Sequence, residues 1–420
     1  MERITIFDTG PGTVRSECPA IAWKLDESRP GLAEKAKQFF RDSYIAASLL
    51  GAATTAAIPD SPAAVIVATG GNLGGAIISL PLIKAARKRW PAAHLAIVSN
   101  TQQGLEIVRF AGLGDSFYHI PNLTIKQSFS DTTLKDAKRK LRKLRASVYI
   151  GNHDFNLSHL LASLRIPVRI GSTGYGVSGN RLLWDKMFNI KVDCIPHRNW
   201  LNSYEDIVRT FGGDTTGEPE IRVNEEDKRN ARHALQSAGL EPGQRTVAVQ
   251  AGVWKAQSFK QWPLPMLVDC CVRLERSGMI PVIIGPPGQE QILDVIKEQA
   301  PALKVLDFIG KTNTNEAAAL VSACDVSIVN DSGLMHLSAA VGTPTVAIFG
   351  MTDPGITWSF GSNSKHRIIR RSDCRPCYAL TEDLYNHCTS KPCLANISVE
   401  KVVEAVEVVT RINRPSGPNS

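Results

Sequence analysis

Three residues that could together bind an anion lie close together in the sequence, just after Asp331: Ser332, Gly333 and His336. They follow a short β-rich apolar run and precede a stretch with apolar residues at helical spacing. The turn should therefore join the carboxyl end of a strand to the amino end of a helix, where unpaired N–H groups and the helix dipole favour an anion. Gly333 lets a phosphate approach the backbone, and His336 can face the same anion. The pattern predicts a phosphate site; the alternative is an ordinary turn whose Asp331 or Ser332 only caps the helix.

The elements around this turn alternate between strand and helix. Strands are predicted in the carboxyl-terminal half at 245–250, 280–284, 303–307, 326–330 and 345–349. An earlier unit repeats the pattern with a buried strand at 63–69, a glycine loop, a helix that Pro91 ends and a strand at 94–99. Such alternation is typical of parallel sheets. We therefore predict an α/β chain of two Rossmann-like domains with a ligand cleft between them.

The glycine loop of the earlier unit runs from Gly70 to Gly75. Its glycines do not have the spacing of a dinucleotide fingerprint, so the loop does not predict NAD binding. The alternative to a binding loop is a tight crossover turn.

The chain of 420 residues carries a formal net charge of +8 and has a pI near 9.0. This balance suits an anionic partner, and nucleic acid is the least favoured one because few basic blocks alternate with aromatic residues. The amino terminus lacks the pattern of a signal peptide, and no apolar run is long enough to cross a bilayer. We expect a cytoplasmic protein whose nine cysteines stay mostly reduced.

A strongly basic segment extends from Leu134 to Arg145. The segment predicts a strongly basic helix with few apolar positions. Such a helix favours contact with an anionic membrane surface, which would place the protein at the periphery of the inner membrane. The alternative is a helix whose charges are simply solvated.

Three motifs of the carboxyl-terminal half resemble glycosyltransferase family 9, the heptosyltransferases of lipopolysaccharide core synthesis. They are Lys260-Gln261-Trp262-Pro263, the stretch from Asn330 to His336 with Gly342-Thr343-Pro344 and 349–354 after it, and Gly285-Pro286-Pro287 followed by Glu290. The second motif is long and specific. A weaker match from Leu73 to Leu82 resembles the start of the family's first helix and implies that Gly74 and Gly75 contact substrate.

The resemblance implies the GT-B architecture, in which two Rossmann-like domains with parallel sheets face a central cleft. It predicts an N-terminal extension (1–62) packed on the first domain, which is the acceptor-side domain (63–210). A linker region (211–244), a nucleotide-sugar-binding domain (245–398) and a C-terminal helix with its tail (399–420) follow. It further implies an inverting enzyme that moves heptose or a similar sugar, with ADP-heptose as the favoured donor, to a hydroxyl of a lipid-linked lipopolysaccharide core acceptor. Two alternatives stay open: a protein or small-molecule heptosyltransferase, and a non-catalytic nucleotide-sugar-binding protein.

Sugar transfer from a nucleoside diphosphate must stabilise a diphosphate leaving group. By resemblance, no cofactor is required for this step, because the diphosphate is bound by Lys260, Ser332, Gly333, Leu334 and His336. Asp331 and Glu290 are then available for hydroxyl and amino groups of the sugar, the ribose or the adenine. The alternatives are that Asp331 only caps the helix and that Lys260 is a plain surface lysine.

One departure from the family pattern affects catalysis. Family members carry an aspartate after the glycine of the first loop, taken as the base that deprotonates the acceptor, and this sequence has Gly75 there. Another group takes over that role, or the alignment slips, or the protein transfers poorly or not at all. His153 and Asp154, which follow a predicted strand at 147–150, are the candidate catalytic replacements. The alternative for both is loop hydrogen bonding.

The cysteine-rich loop at 374–393 contains Cys374, Cys377, Cys388 and Cys393, and its first pair has metal-ligand spacing. Many family members have a comparable segment, and it binds iron in related autotransporter heptosyltransferases. The resemblance thus implies a structural zinc or iron ion that fixes a loop beside the sugar site. The alternative is a set of reduced thiols.

Overall fold

The computed structural model describes residues 6–7, 56–121, 132–151, 155–173, 186–193, 199–214, 217–253, 255–360, 365–371, 376–377 and 392–412. The chain divides into two compact units. The first comprises Ala20–Pro219, and the second combines Met1–Pro19 with Glu220–Ser420.

The sheet of the unit Ala20–Pro219 has six parallel strands in the order β4-β3-β2-β5-β6-β7. The strands are β2 (Ala64–Ala68), β3 (His94–Ser99), β4 (Ser116–His119), β5 (Val148–Ile150), β6 (Val168–Thr173) and β7 (Ile190–Asp193). The helices are α1 (Leu73–Arg89), α2 (Gln102–Phe110), α3 (Thr132–Lys143), α4 (Phe155–Ala162) and α5 (Trp200–Thr210). All five residues of β2 are buried. Continuous apolar runs of this kind form strands that helices cover on both faces.

The sheet of the other unit has seven parallel strands in the order β1-β13-β12-β11-β8-β9-β10. The strands are β1 (Ile6–Phe7), β8 (Arg245–Gln250), β9 (Met279–Gly285), β10 (Leu306–Ile309), β11 (Val326–Asn330), β12 (Thr345–Ile348) and β13 (His366–Ile369). The α-helices are α6 (Glu225–Ser237), α7 (Leu264–Arg276), α8 (Gln291–Gln299), α9 (Thr314–Ser322), α10 (Gly333–Ala340), α11 (Pro354–Thr357), α12 (Pro392–Ala395) and α13 (Val399–Ile412). A 3₁₀ segment at Lys255–Lys260 precedes α7.

In each sheet, β1 excepted, the strands follow one another outwards in both directions from a single inner strand. In the first unit β2 lies between β3 and β5, and in the other unit β8 lies between β9 and β11. Connections leave such a pair of strands towards opposite sides, which opens a crevice at their carboxyl ends where ligands bind. The glycine loop follows β2, and the turn at Asp331 follows β11. Both candidate binding segments thus lie at topological switch points, and the predicted pair of Rossmann-like parallel sheets is confirmed.

The amino-terminal residues that are described join the sheet of the carboxyl-terminal unit. Ile6–Phe7 pairs with β13 in the sheet of the carboxyl-terminal unit, whereas the sequence predicts an extension packed on the first domain. The residues from 8 to 55 lie outside the described part of the chain. Helix α13 contacts α7, β11, β12 and β13 within its own unit. None of the described helices has both the length and the apolar composition needed to cross a membrane.

Candidate active site

The turn between β11 and α10 has the predicted strand-to-helix geometry. Ser332 occupies the N-cap position with an extended backbone, and Gly333 is the first helical residue. The Ser332 side chain makes no capping hydrogen bond to the helix. The Met335 N–H donates to the Ser332 carbonyl at 3.2 Å, but the Ser332 side chain occupies no N–H group of the helix, which leaves those of Gly333 and Leu334 available to an anion.

An ion pair joins Lys260 and Asp331, for which the sequence analysis predicts separate roles. Lys260 Nζ lies 2.9 Å from Asp331 Oδ2, and the two side chains are only 11% and 4% exposed. Beyond this ion pair, the same carboxylate oxygen has no hydrogen-bond partner among the described residues. A buried carboxylate needs a compensating charge. Lys260 therefore neutralises Asp331 in addition to contacting any ligand. Lys260 is thus a partly buried residue of the site and not a plain surface lysine.

Trp262 fixes the position of the lysine-bearing segment. Its ring is buried, its backbone N–H donates to Asn330 Oδ1 at 2.9 Å, and its indole Nε1–H donates to the Ile397 carbonyl at 3.2 Å. These bonds tie the chain after the 3₁₀ segment to the end of β11 and to the segment before α13. The Lys-x-Trp-Pro pattern therefore holds the ammonium group beside Asp331 through the neighbouring tryptophan.

Gln250, the last residue of β8, belongs to the site but was not predicted as a site residue from the sequence. Its Oε1 accepts hydrogen bonds from the Asn330 N–H at 3.0 Å and from the Ser332 hydroxyl at 2.9 Å. Its Nε2 donates to the Gly252 carbonyl at 3.0 Å. A polar residue at the end of an otherwise apolar buried strand was the available signal, since a buried amide needs partners. This side chain links the two strands of the switch point.

His336 lies one turn into α10 and is buried. Burial lowers its pKa to about 4, while the Asp331 carboxylate opposes this shift and Lys260 adds to it. Its Nδ1 has no hydrogen-bond partner within the described part of the chain, and its ring lies 6.3 Å from that of Phe360 between centroids. Near neutral pH the ring is uncharged. It can therefore exchange a hydrogen bond with a ligand but supplies no positive charge.

Glu290 lies at the N-cap of α8, on the loop that follows β9, and is exposed. Its Oε1 accepts from the Gly288 N–H at 3.0 Å. Backbone hydrogen bonds from Gly288 and from its own N–H hold the pKa of Glu290 below its ordinary value. The carboxylate is ionised and stabilises its own loop, at the carboxyl end of the strand next to β8.

The glycine loop of the first unit opens α1 through the cap Asn72, whose Oδ1 accepts from the Gly75 N–H at 2.7 Å. A Cβ on Gly70 would lie 2.3 Å from the Gly75 carbonyl carbon, so the loop folds back on the helix start. Gly75 is not among the described glycines with positive φ. A Cβ there would lie 3.1 Å from Asn72 Oδ1 and 3.3 Å from Gly70 Cα, so a side chain at this position requires these neighbours to shift by a few tenths of an ångström. His153 and Asp154 lie outside the described residues.

Two of the four loop cysteines are described. Cys377 is half-buried and donates its backbone N–H to the Met351 carbonyl at 2.8 Å, just beyond the end of β12. Cys393 in α12 is buried in the core of the same unit, against which Cys377 also packs. Cys374 and Cys388 lie outside the described residues. Both described cysteines thus pack in or against the hydrophobic core of the carboxyl-terminal unit.

The basic helix α3 packs with Ala137 and Leu141 buried and Leu144, just after it, half-buried. Its exposed side chains include Lys135, Arg139, Lys140, Arg142 and Lys143. Asp136 forms ion pairs with Arg139 and Lys140. The segment 134–145 contains seven basic residues and one acidic residue, so its outer face is strongly positive.

Comparison with known proteins identifies the family to which this architecture belongs. The model of glycosyltransferase family 9 (heptosyltransferase) matches residues 136–386, more than half of the chain. Lipooligosaccharide heptosyltransferase 2 of Haemophilus influenzae is 35% identical over 101 residues, which are 23% of this chain and 29% of that protein. The chain spans 29%, 46% and 52% of the length of three curated relatives, two of them from Campylobacter jejuni.

Solved structures share the fold. A glycosyltransferase family 9 protein from Veillonella parvula has a TM-score of 0.70 at 20% identity, covering 85% of this chain and 99% of that one. The ADP-heptose lipopolysaccharide heptosyltransferase II of Escherichia coli has a TM-score of 0.65 at 18% identity, covering 83% and 99%. With two parallel-sheet Rossmann-like units and a family match across more than half its length, the chain belongs to glycosyltransferase family 9.

Proposed function

We propose that this protein is an inverting glycosyltransferase that moves heptose, or a similar sugar, from ADP-heptose to a hydroxyl of a lipopolysaccharide core acceptor. The observation that carries the proposal is the buried Lys260–Asp331 ion pair beside the open N-terminus of α10, at the switch point of a parallel sheet. Membership of the family supports the reaction class.

The donor's diphosphate would bind at the start of α10. The N–H groups of Gly333 and Leu334 and the Lys260 ammonium group supply positive potential where the leaving group gains negative charge. The Ser332 hydroxyl donates to Gln250, so Ser332 contributes its backbone rather than its O–H to the anion. Asp331 and Glu290 remain the acceptors for hydroxyl or amino groups of the donor.

The acceptor hydroxyl needs a base, and Gly75 cannot accept a proton. Asp154, with His153 beside it, is the proposed replacement. The support is positional: both follow β5, whose carboxyl end lies beside that of β2 at the switch point of the first unit. Gly74 and Gly75 would lie along the acceptor with their backbone.

The acceptor is lipid-linked, and we propose that the protein binds the inner face of the inner membrane from the cytoplasm. The outer face of α3 is the candidate contact, since its charges complement anionic lipid headgroups. Nucleic acid is not a proposed partner.

We also propose that Cys374, Cys377, Cys388 and Cys393 hold one structural zinc or iron ion. The support is the metal-ligand spacing of Cys374 and Cys377 and the softness of thiolate ligands, which suits both metals. The ion would fix the loop at 374–393 and would take no part in sugar transfer.

A donor turnover assay with ADP-heptose and a core acceptor tests the proposed reaction. We expect release of ADP that depends on acceptor and a heptosylated product of inverted anomeric configuration. Binding of ADP without any transfer would instead favour a non-catalytic nucleotide-sugar-binding protein, for which Gly75 is the supporting observation. Heptosylation of a protein or small molecule, but not of the core acceptor, would favour that alternative.

A further inference from the structure

Ser332 occupies the N-cap position of α10, but its side chain makes no capping hydrogen bond. The polar N-cap residues Asn72, Thr101, Asn199, Asn224, Asn313 and Asp353 each accept a hydrogen bond from an N–H of the first turn of their helix. Ser332 occupies the same position before α10 and makes no such bond. A serine at this position normally accepts from the second or third helical N–H, so something holds it away.

Gln250 is the residue that holds it. Its Oε1 accepts from the Ser332 hydroxyl at 2.9 Å and from the Asn330 N–H at 3.0 Å, while its Nε2 donates to the Gly252 carbonyl at 3.0 Å. The side chain is buried, so this acceptor does not exchange readily with water. With both of its ends bonded, the amide is fixed in orientation, and it fixes the serine rotamer in turn.

The consequence concerns the donor site. If the Ser332 oxygen turned towards α10, it would occupy one of the N–H groups that the diphosphate needs, and it would place a neutral oxygen where the phosphate should lie. We propose that Gln250 is a positioning residue that keeps the N-terminus of α10 open for a nucleoside diphosphate by holding the Ser332 hydroxyl on itself. This inference rests on the proposed donor site.

The test is a rescue experiment with ADP as the probe, measured by calorimetry on the full chain. Gln250→Leu releases Ser332, which then caps the helix and competes with ADP, so ADP affinity should fall by about fivefold to tenfold, the scale of one helix cap. Ser332→Ala in the Gln250→Leu background removes the competitor and should restore most of that affinity. Loss of packing alone predicts the opposite, a double variant no better than Gln250→Leu.

Gln261 supplies the matched control. It also bridges backbone of the same loop, accepting from the Val253 N–H at 3.0 Å and donating to the Ala251 carbonyl at 2.6 Å, but none of its described bonds reaches Ser332. Any loss of ADP affinity in Gln261→Leu should therefore not be rescued by Ser332→Ala.

Ser332→Ala alone keeps the inference testable if Gln250→Leu does not fold. The melting temperature of Ser332→Ala should fall less than that of Asn313→Ala, which removes a working cap, because the Ser332 hydroxyl makes no capping bond. No rescue of Gln250→Leu, or a fall in melting temperature in Ser332→Ala as large as that in Asn313→Ala, would overturn the role of Gln250. Absence of ADP binding in the wild type would instead overturn the donor site itself, and the inference with it.

Discussion

A lysine and an aspartate that are both buried are stable only as a pair, because each charge alone would lack water. Lys260 and Asp331 stand in this relation at 2.9 Å. In the proposed donor site, a diphosphate at α10 would add negative charge beside Asp331, and Lys260 would be a cation within reach of both. Donor binding and local stability would then be coupled through the Lys260 ammonium group.

Replacing this lysine should separate the two effects. Lys260→Ala should weaken ADP binding by about 1–3 kcal/mol, the scale of a charge-assisted contact, as measured by calorimetry. It should also lower the free energy of unfolding by about 3 kcal/mol or more, because Asp331 is left unpaired. Adding Asp331→Asn should recover stability without recovering ADP affinity. Unchanged ADP affinity in Lys260→Ala would remove the lysine from the donor site.

The proposed base gives a second prediction. General-base help is worth about 100- to 10,000-fold in rate, so Asp154→Asn should cut turnover by a factor in that range while ADP affinity stays almost intact. Gly75→Asp should raise the residual turnover of that variant, since Gly75 has no positive φ and its Cβ contacts are tight but not blocked. Full turnover in Asp154→Asn would exclude this carboxylate as the base.

Two buried histidines predict the pH dependence of stability. Burial lowers the pKa of both His336 and His366 to about 4, against an ordinary value of 6.5. The unfolded chain therefore takes up protons first, and the stability present above pH 6.5 should be lost as pH falls towards 4, by up to about 3 kcal/mol for each ring. Urea unfolding of His366→Phe should show a shallower loss below pH 6.5. Replacement of the exposed His233 is the control and should leave the wild-type slope.

At the scale of elements, the bounds of strands can be predicted from the sequence, because they depend on the local pattern of residues. The predicted strand 245–250 is Arg245–Gln250, and the predicted strand 326–330 is Val326–Asn330, because periodicity and turn residues act within a few positions. The Lys260–Asp331 pair and the Gln250–Ser332 bond join residues 71 and 82 positions apart. Such contacts depend on strand order in the sheet, which hydrophobic patterning does not determine.

Helix α3 should govern membrane binding. Replacing Arg142 and Lys143, both exposed, by glutamine should weaken binding to anionic vesicles by roughly 1 kcal/mol per residue. The exposed pair Arg229 and Arg232 on α6, replaced in the same way, is the matched control and should have little effect. Vesicle sedimentation at two salt concentrations measures both variants, since the interaction must weaken with salt. Binding that ignores both anionic lipid and salt would count against the proposal.

The cysteine loop should carry metal in freshly purified, reduced protein. Elemental analysis should find about one zinc or iron per chain, and Cys377→Ser should lower this content because it removes one of four proposed thiolates. Cys271→Ala is the control: this cysteine is buried in α7, and burial raises its pKa to about 12, so it offers no thiolate. A wild-type metal content far below one per chain would reject the site.

At the scale of the whole molecule, the chain crosses between its two compact units twice, near Pro19 and near Pro219. The first crossing exists because Ile6–Phe7 belongs to the sheet of the carboxyl-terminal unit. The composition of the early chain gave no sign of this, since a two-residue strand has no periodicity to detect.

That strand also sets an order in time. Ile6 pairs with Ile368 and Phe7 with Ile369, so the first strand to leave the ribosome has its partner near the end of the chain. Translation at about 5–20 residues per second leaves roughly 20–70 s between the synthesis of the two partners. During that interval the six strands of the other sheet have all been synthesised, while the amino-terminal strand has no partner strand to join. Completion of the seven-stranded sheet, and not of the six-stranded one, should therefore be the last event of folding during translation.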